Sequence, residues 1–315
     1  MVMTGNKEQG VALISVLLVV AVVVTVATAL LSAQDRQIRR TAAVVHGEQI
    51  VQYVRGIEDW AMVVLRRDLD RGGVDSLDED WGLRLAPIAV EGGTVAGNLQ
   101  DAQGRFNLNN LVVDGAFNAL QHERFIRLLT TLEVEPYRAE GIADALRDWL
   151  DPDQEEASHG GAEDYYYLGL SPPYRSAGVA MASASELRLV RGMDEEIWRK
   201  LAPHVIALPG LRYVNVNTAG LEVLRSLSEA ITERKAQDIL DKRWDSPFSS
   251  TQVFADFLSN DPNENPQVLE ISVGSGFFLL SIKVGVVNHQ ASVTSLIHRE
   301  NGATGVWHRS FGVVL

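Results

Sequence analysis

The sequence predicts an α+β fold: a long N-terminal helix, partly transmembrane, packed on an antiparallel sheet, with a large inserted α-helical domain. Three observations predict it. An uncharged apolar run fills Val11 to Leu31 and passes into helical spacing that lasts to Leu69. Alternating, turn-bounded segments stand at 71–112 and again at 270–315. Between them, 113–269 reads mostly as amphipathic helix. The simplest assembly joins both sets of strands into one sheet.

The first element is the apolar run. Its 21 residues contain Ser15, Thr25 and Thr28 as polar members and neither Pro nor Gly. At about 1.5 Å per residue this helix covers roughly 30 Å, the thickness of a bilayer core. Three readings fit: a buried core helix, a secretory signal with an A-x-A-like site at Ala27-Thr28-Ala29, or a prepilin-type signal. In the third, a polar leader, 1–10, ends at Gly10, the cut falls between Gly10 and Val11, and the helix is retained. Gly10 lets a protease approach the backbone closely. Lys7 alone precedes the run while Arg36, Arg39 and Arg40 follow it, which opposes the simple charge rule for orientation. The leader is placed inside nonetheless, because the motif is more specific than four charges.

Beyond the run, Val44, Val45, Ile50, Val51, Val54, Ile57, Met62, Val63 and Leu65 recur at mixtures of three and four, so one helix spans 11–70 and ends at Arg71-Gly72-Gly73. Leu83 to Val90 and Thr94 to Asp101 form a hairpin about Gly92-Gly93. Helical stretches follow from Phe117, Ile142, Ser185, Glu195, Thr218, Glu233 and Thr251. Phe277 to Val287, Ala291 to Arg299 and Val306 to Val314 are strands, with Asn301-Gly302 as a tight-turn signal.

The net charge of −13 disfavours phosphate backbones and suits a divalent cation. With no cysteine, disulfides, thiolate metal sites and Cys nucleophiles are excluded. None of the seven histidines makes a zinc spacing, and neither a G-x-S-x-G nor a phosphate-loop motif occurs.

Two constellations carry chemistry. Asp148, Asp151, Asp153, Glu155, Glu156, Glu163 and Asp164 place seven carboxylates within 17 residues, about Pro152 and Gly160-Gly161. Hard cations such as Ca²⁺ take six to eight oxygens from such loops. The alternative is a solvated acidic loop. The second is Val214-Asn215-Val216-Asn217-Thr218-Ala219, with Asn217 or Thr218 as the N-cap of the next helix. It resembles the start of a helix-hairpin-helix module over 211–245. The hairpin that would meet a phosphate is Ser228-Glu229-Ala230-Ile231-Thr232, without glycine and with a carboxylate, so no nucleic acid is expected.

In order and spacing the chain is similar to the K-type minor pseudopilins of type II secretion systems. The carriers are Gly10-Val11-Ala12-Leu13-Ile14, Gly104-Arg105-Phe106-Asn107-Leu108-Asn109, Asp148-Trp149-Leu150-Asp151, Gly161-Ala162-Glu163-Asp164, Ser185-Glu186-Leu187-Arg188 and Asn215-Val216-Asn217-Thr218-Ala219. Most pilin-like subunits carry Glu at the fifth mature position; Ser15 stands there, which fits a subunit with nothing above it. The resemblance implies a pseudopilin-like sheet and a non-enzymatic subunit of the pseudopilus tip. It also implies I- and J-type minor pseudopilins as partners and a prepilin peptidase that cuts the leader. The helix would sit in the inner membrane with the head in the periplasm. It further implies calcium in the α-domain, for which Asp151, Asp153, Glu163 and Asp164 are the chosen ligands and Asp148, Glu155 and Glu156 the reserves. The competing reading is a membrane-anchored binding module for DNA or a secreted substrate, acting through the Asn215 region.

Overall fold

The computed structural model describes residues 7–82, 85–258, 270–287, 289–300 and 302–312. Leader residues 1–6, Leu83-Arg84, the end of the inserted block at 259–269, Asn301 and Val313-Val314 lie outside the described residues.

Helix α1 runs unbroken from Lys7 to Leu69, through Gly47 and Gly56. Leu13 to Leu31 is exposed on every side, an apolar surface that water does not tolerate at this extent. From Ile50 onward one stripe turns inward, and Ile50, Val54, Ala61 and Leu65 are buried at helical spacing. Glu58 lies buried on the same side of the helix. It accepts from Ser295 Oγ at 2.6 Å and Arg309 Nε at 2.7 Å, which fixes the helix against the sheet.

That sheet has five antiparallel strands in chain order: β1 (Leu85–Val90), β2 (Gly93–Asp101), β3 (Phe277–Val286), β4 (His289–Glu300) and β5 (Ala303–Phe311). The β1–β2 turn uses Gly92 at φ +76, a conformation glycine adopts without a Cβ penalty. β2 pairs with β3 from Gly93↔Val286 to Asp101↔Phe278, so the two halves of the head meet across the whole insertion. Alternation explains the continuous apolar run Phe277 to Leu280. Phe278 and Leu280 face α1 with Val95, Leu99 and Ile297. Phe277 and Leu279 face the inserted domain with Ala102, Ile206 and Leu208. Each such side chain taken from water contributes about 1.5–3 kcal/mol.

The insertion has two cores. The first gathers α2 (Ala119–Thr131), α3 (Pro136–Leu150), α4 (Asp164–Leu168) and α5 (Glu195–Leu201) around Phe125, Leu146, Trp149 and Leu187. The second gathers α6 (Leu221–Ser226), α7 (Glu233–Asp245) and α8 (Thr251–Leu258) around Leu224, Ile239, Phe248 and Phe254. Two-residue parallel pairings stitch each lobe: Phe106–Asn107 with Val205–Ile206, and Val214–Asn215 with Ile271–Ser272.

This corrects two sequence expectations. A domain start at 113 cuts through the first core, because Phe106, Leu108, Leu111 and Val112 pack there with the helices. The last β2 residue is Asp101, so the head ends about eleven residues earlier than 113. Gly220, not Asn217 or Thr218, is the N-cap of α6. Asn217 is instead buried, accepting from Phe248 N at 2.8 Å and donating to Phe248 O at 3.0 Å.

Candidate metal centre

Helix α3 builds one wall of the site. It starts with Pro136 in its first turn behind a Glu135 cap, and its buried face carries Asp144 and Asp148 one turn apart. These two carboxylates fold the following loop back over the helix. Asp144 accepts from His159 N at 2.8 Å and meets His122 Nε2 at 2.8 Å. Asp148 accepts from Ala157 N at 3.1 Å. Gly161 is required where the loop closes, since a Cβ there would lie 2.2 Å from Asp148 Oδ2.

With the loop so placed, carboxylate oxygens of Asp151, Asp153 and Glu163 all lie within 4.8 Å of one another. Asp151 and Glu163 are buried, while Asp153 faces solvent. Glu163 Oε2 accepts from Gln154 Nε2 and Ser176 Oγ, both at 3.2 Å. Among the described residues, Glu163 Oε1 and Asp151 Oδ1 are buried without a hydrogen-bond partner. The nearest cation is Arg147, whose Nε stands 3.7 Å from Asp151 Oδ2.

Burial pushes the Glu163 carboxyl up to about 7, and the neighbouring Asp148, Asp151 and Asp153 charges add to the rise. Burial, then the Asp151 charge, lifts Asp148 to about 6. Asp151 is raised by burial and by Asp153. Clustered anions with two orphaned oxygens cost free energy as they stand. An oxygen-only donor set of this kind suits a hard divalent cation. The residues present therefore fit calcium.

Of the four chosen ligands, three come together and Asp164 does not. It opens α4 and turns outward to Arg175 Nη1 at 3.0 Å and Ser176 N at 3.1 Å. Among the reserves, Asp148 lies buried behind the cluster, and Glu155 and Glu156 are exposed. Gly10 and Val11, the expected cleavage pair, lie on the α1 backbone.

Sequence reasoning missed a second acidic group, Asp68, Asp75 and Glu79, at the end of α1. It holds its own cation. Arg299 from β4 bonds Asp68 at 2.8 Å and Asp75 at 2.5 Å, so this group is an ion-pair hub of the head. The helix-hairpin-helix-like segment packs its first helix, α6, against α2. Arg124 and Arg127 of α2 donate to the carbonyls of Leu227 and Ser226, and Glu229 projects into solvent from the hairpin. The exposed Glu229 carboxylate is unfavourable beside a phosphate.

Comparison with known proteins agrees with this architecture. Family models described as "Type II secretion system (T2SS), protein K" match residues 104–210 and 214–271, which are the two lobes. The type II secretion system protein K of Pseudomonas aeruginosa is 37% identical over 97% of this chain and 93% of its own length. That of Klebsiella pneumoniae is 32% identical over 98% of both. Among solved structures, a chain of the GspK-GspI-GspJ complex from the enterotoxigenic Escherichia coli type 2 secretion system superposes with a TM-score of 0.79 at 28% identity. It covers 87% of this chain and 100% of that one. The chain belongs to the type II secretion system protein K family, the K-type minor pseudopilins.

Proposed function

We propose that this protein is the minor pseudopilin at the tip of the type II secretion pseudopilus, a non-catalytic subunit needed for assembly and protein export. The observation that carries the reading is the two-lobed domain inserted between β2 and β3, shared with a chain solved in a GspK-GspI-GspJ complex. Joining I- and J-type minor pseudopilins is the corresponding proposal for this chain. A head widened by two lobes would not stack repeatedly along a thin fibre, whereas at a tip only its lower side must be shared. The 11–31 segment of α1 would hold the subunit in the inner membrane, with the head in the periplasm, until extraction into the pseudopilus. Calcium, held by Asp151, Asp153 and Glu163, would relieve their mutual repulsion and tie the loop after α3 to α4.

The test is co-expression with the I- and J-type subunits of the same system, followed by native mass spectrometry. One copy of each chain in a single complex is expected. Long fibres made of this chain alone would overturn the tip assignment.

A further inference from the structure

A groove of about 420 Å³ runs between the end of β2 and the inserted domain, its lining including Gln100, Asp101, Gly104, Arg105, His204 and Thr218. The turn after β2 places Arg105 there. Asp101 caps that turn by accepting from Gln103 N at 2.8 Å, and the backbone leaves extended at Arg105. Gly104 keeps the floor low, since a Cβ there would meet Thr218 Oγ1 at 2.9 Å.

A guanidinium carries five N–H donors. Among the described residues, Arg105 uses them for one hydrogen bond, 3.3 Å to the neutral Gln100 Oε1. Burial alone pushes Arg105 down from its ordinary range, with no carboxylate opposing the shift. The acids at hand are engaged elsewhere. Asp101 accepts from Gln103 N, Asn215 Nδ2, Thr218 Oγ1 and Ser275 Oγ. Glu222 is directed at His204, with Oε2 3.7 Å from Nδ1. Arg105 is thus a groove-lining cation to which, among the described residues, no carboxylate is bonded.

We propose that this groove binds an acidic peptide, with a Glu or Asp side chain on an extended segment pairing with the Arg105 guanidinium. A carboxylate accepts two parallel N–H bonds from one guanidinium, a geometry Lys does not reproduce. It also neutralises a charge that is already partly stripped of water, which increases the gain. A single carboxylate fills only a fraction of the groove. The rest leaves room for peptide backbone beside the amide side chains of Asn98 and Gln100, which also line it.

The full chain in detergent micelles provides the test. The probes are a capped pentapeptide with one glutamate between valines, its glutamine counterpart, and succinate. Calorimetric titration is expected to show the glutamate peptide binding at least tenfold more tightly than the glutamine one. Arg105→Gln should erase that difference, and Arg105→Lys should restore only part of it. On the unmodified chain, the glutamate peptide should slow phenylglyoxal modification of Arg105 at least threefold, read by mass spectrometry, and leave exposed Arg36 unchanged. This second measurement decides if Arg105→Gln does not fold. Equal affinity for the two peptides, unchanged binding in Arg105→Gln, no protection, or protection by succinate alone would overturn the proposal.

Discussion

Asp151 and Glu163 face each other across the loop after α3, and each buries one carboxylate oxygen, Oδ1 and Oε1, that no donor among the described residues reaches. Folding has gathered these oxygens without providing for their charge, and a bound cation would supply what is missing. Calcium at one hundred times its dissociation constant should then stabilise the chain by about 2.7 kcal/mol, seen as a higher melting temperature than in chelator. Asp151→Asn combined with Glu163→Gln should abolish the calcium-dependent part. Asp164→Asn should leave it nearly intact, because Arg175 and Ser176 already occupy that carboxylate. Equal losses in both variants would show that the cluster has been drawn wrongly.

The same oxygens set a pH dependence. Without metal, Glu163 is lifted to about 7 from 4.5, and Asp148 to about 6 from 3.8. The folded chain therefore holds more protons than the unfolded chain between about pH 4 and 7. The stability from these groups is complete below that window and is lost as pH rises through it. Calcium needs the ionised forms, so its affinity should increase over the same window and its binding should release protons. Calorimetry at pH 6 in buffers of different ionisation enthalpy measures that release, and Glu163→Gln should reduce it. Asp75, raised to about 7 by burial against the opposing Arg299 charge, should leave a calcium-independent loss with the same sign. Unaltered proton release in Glu163→Gln would remove Glu163 from the site.

Much of this was legible in the sequence, for physical reasons that also mark where legibility stops. Period-two alternation and turn residues report local geometry, so the β1–β2 hairpin and the three C-terminal strands could be read directly. The closing of β2 onto β3 across the insertion could be inferred, because unpaired strands need partners. The pairing of Phe106–Asn107 with Val205–Ile206 could not, since two residues carry no period and the contact spans about a hundred residues. Carboxylate density marked the candidate metal centre, but density does not give direction. Glu163 precedes α4 with an extended backbone and is buried in the cluster, while Asp164, one residue on, is drawn to Arg175 and Ser176. The Asp68–Asp75–Arg299 hub was invisible because its members come from opposite ends of the chain.

Asn107 is the densest polar node of the first lobe, and its loss should be expensive. Its Nδ2 donates to Asn110 Oδ1 at 2.9 Å, Leu208 O at 3.3 Å and Gly210 O at 3.1 Å. Its Oδ1 accepts from Leu208 N at 2.8 Å and Asn109 N at 3.3 Å. The site is buried, so Asn107→Ala strands several groups away from water, and the expected cost is about 3 kcal/mol. Denaturant unfolding of the variant should show the midpoint fall at unchanged slope. A change under 0.5 kcal/mol, about what a substitution far from such a network costs, would mean that the asparagine network is dispensable.

The last expectation concerns how α1 reaches its final form. Its stretch from Leu13 to Leu31 is exposed all round, and contact with the head begins at His46, which meets His289, before the buried stripe of Ile50, Val54, Ala61 and Leu65. Cleavage after Ala29 would discard the apolar stretch and leave a soluble head. Cleavage between Gly10 and Val11 would keep the helix as both anchor and assembly element. The second outcome is expected, and intact-mass measurement of chain purified from membranes should place the mature N-terminus at Val11. Gly10→Leu should leave the precursor uncut. Because α1 first meets the head at His46, far beyond Gly10 in the chain, uncut precursor should melt at the same temperature as mature chain. That equality separates a processing defect from a folding defect. A mature N-terminus at Leu30 would instead establish an ordinary secretory signal and leave the head without its membrane helix.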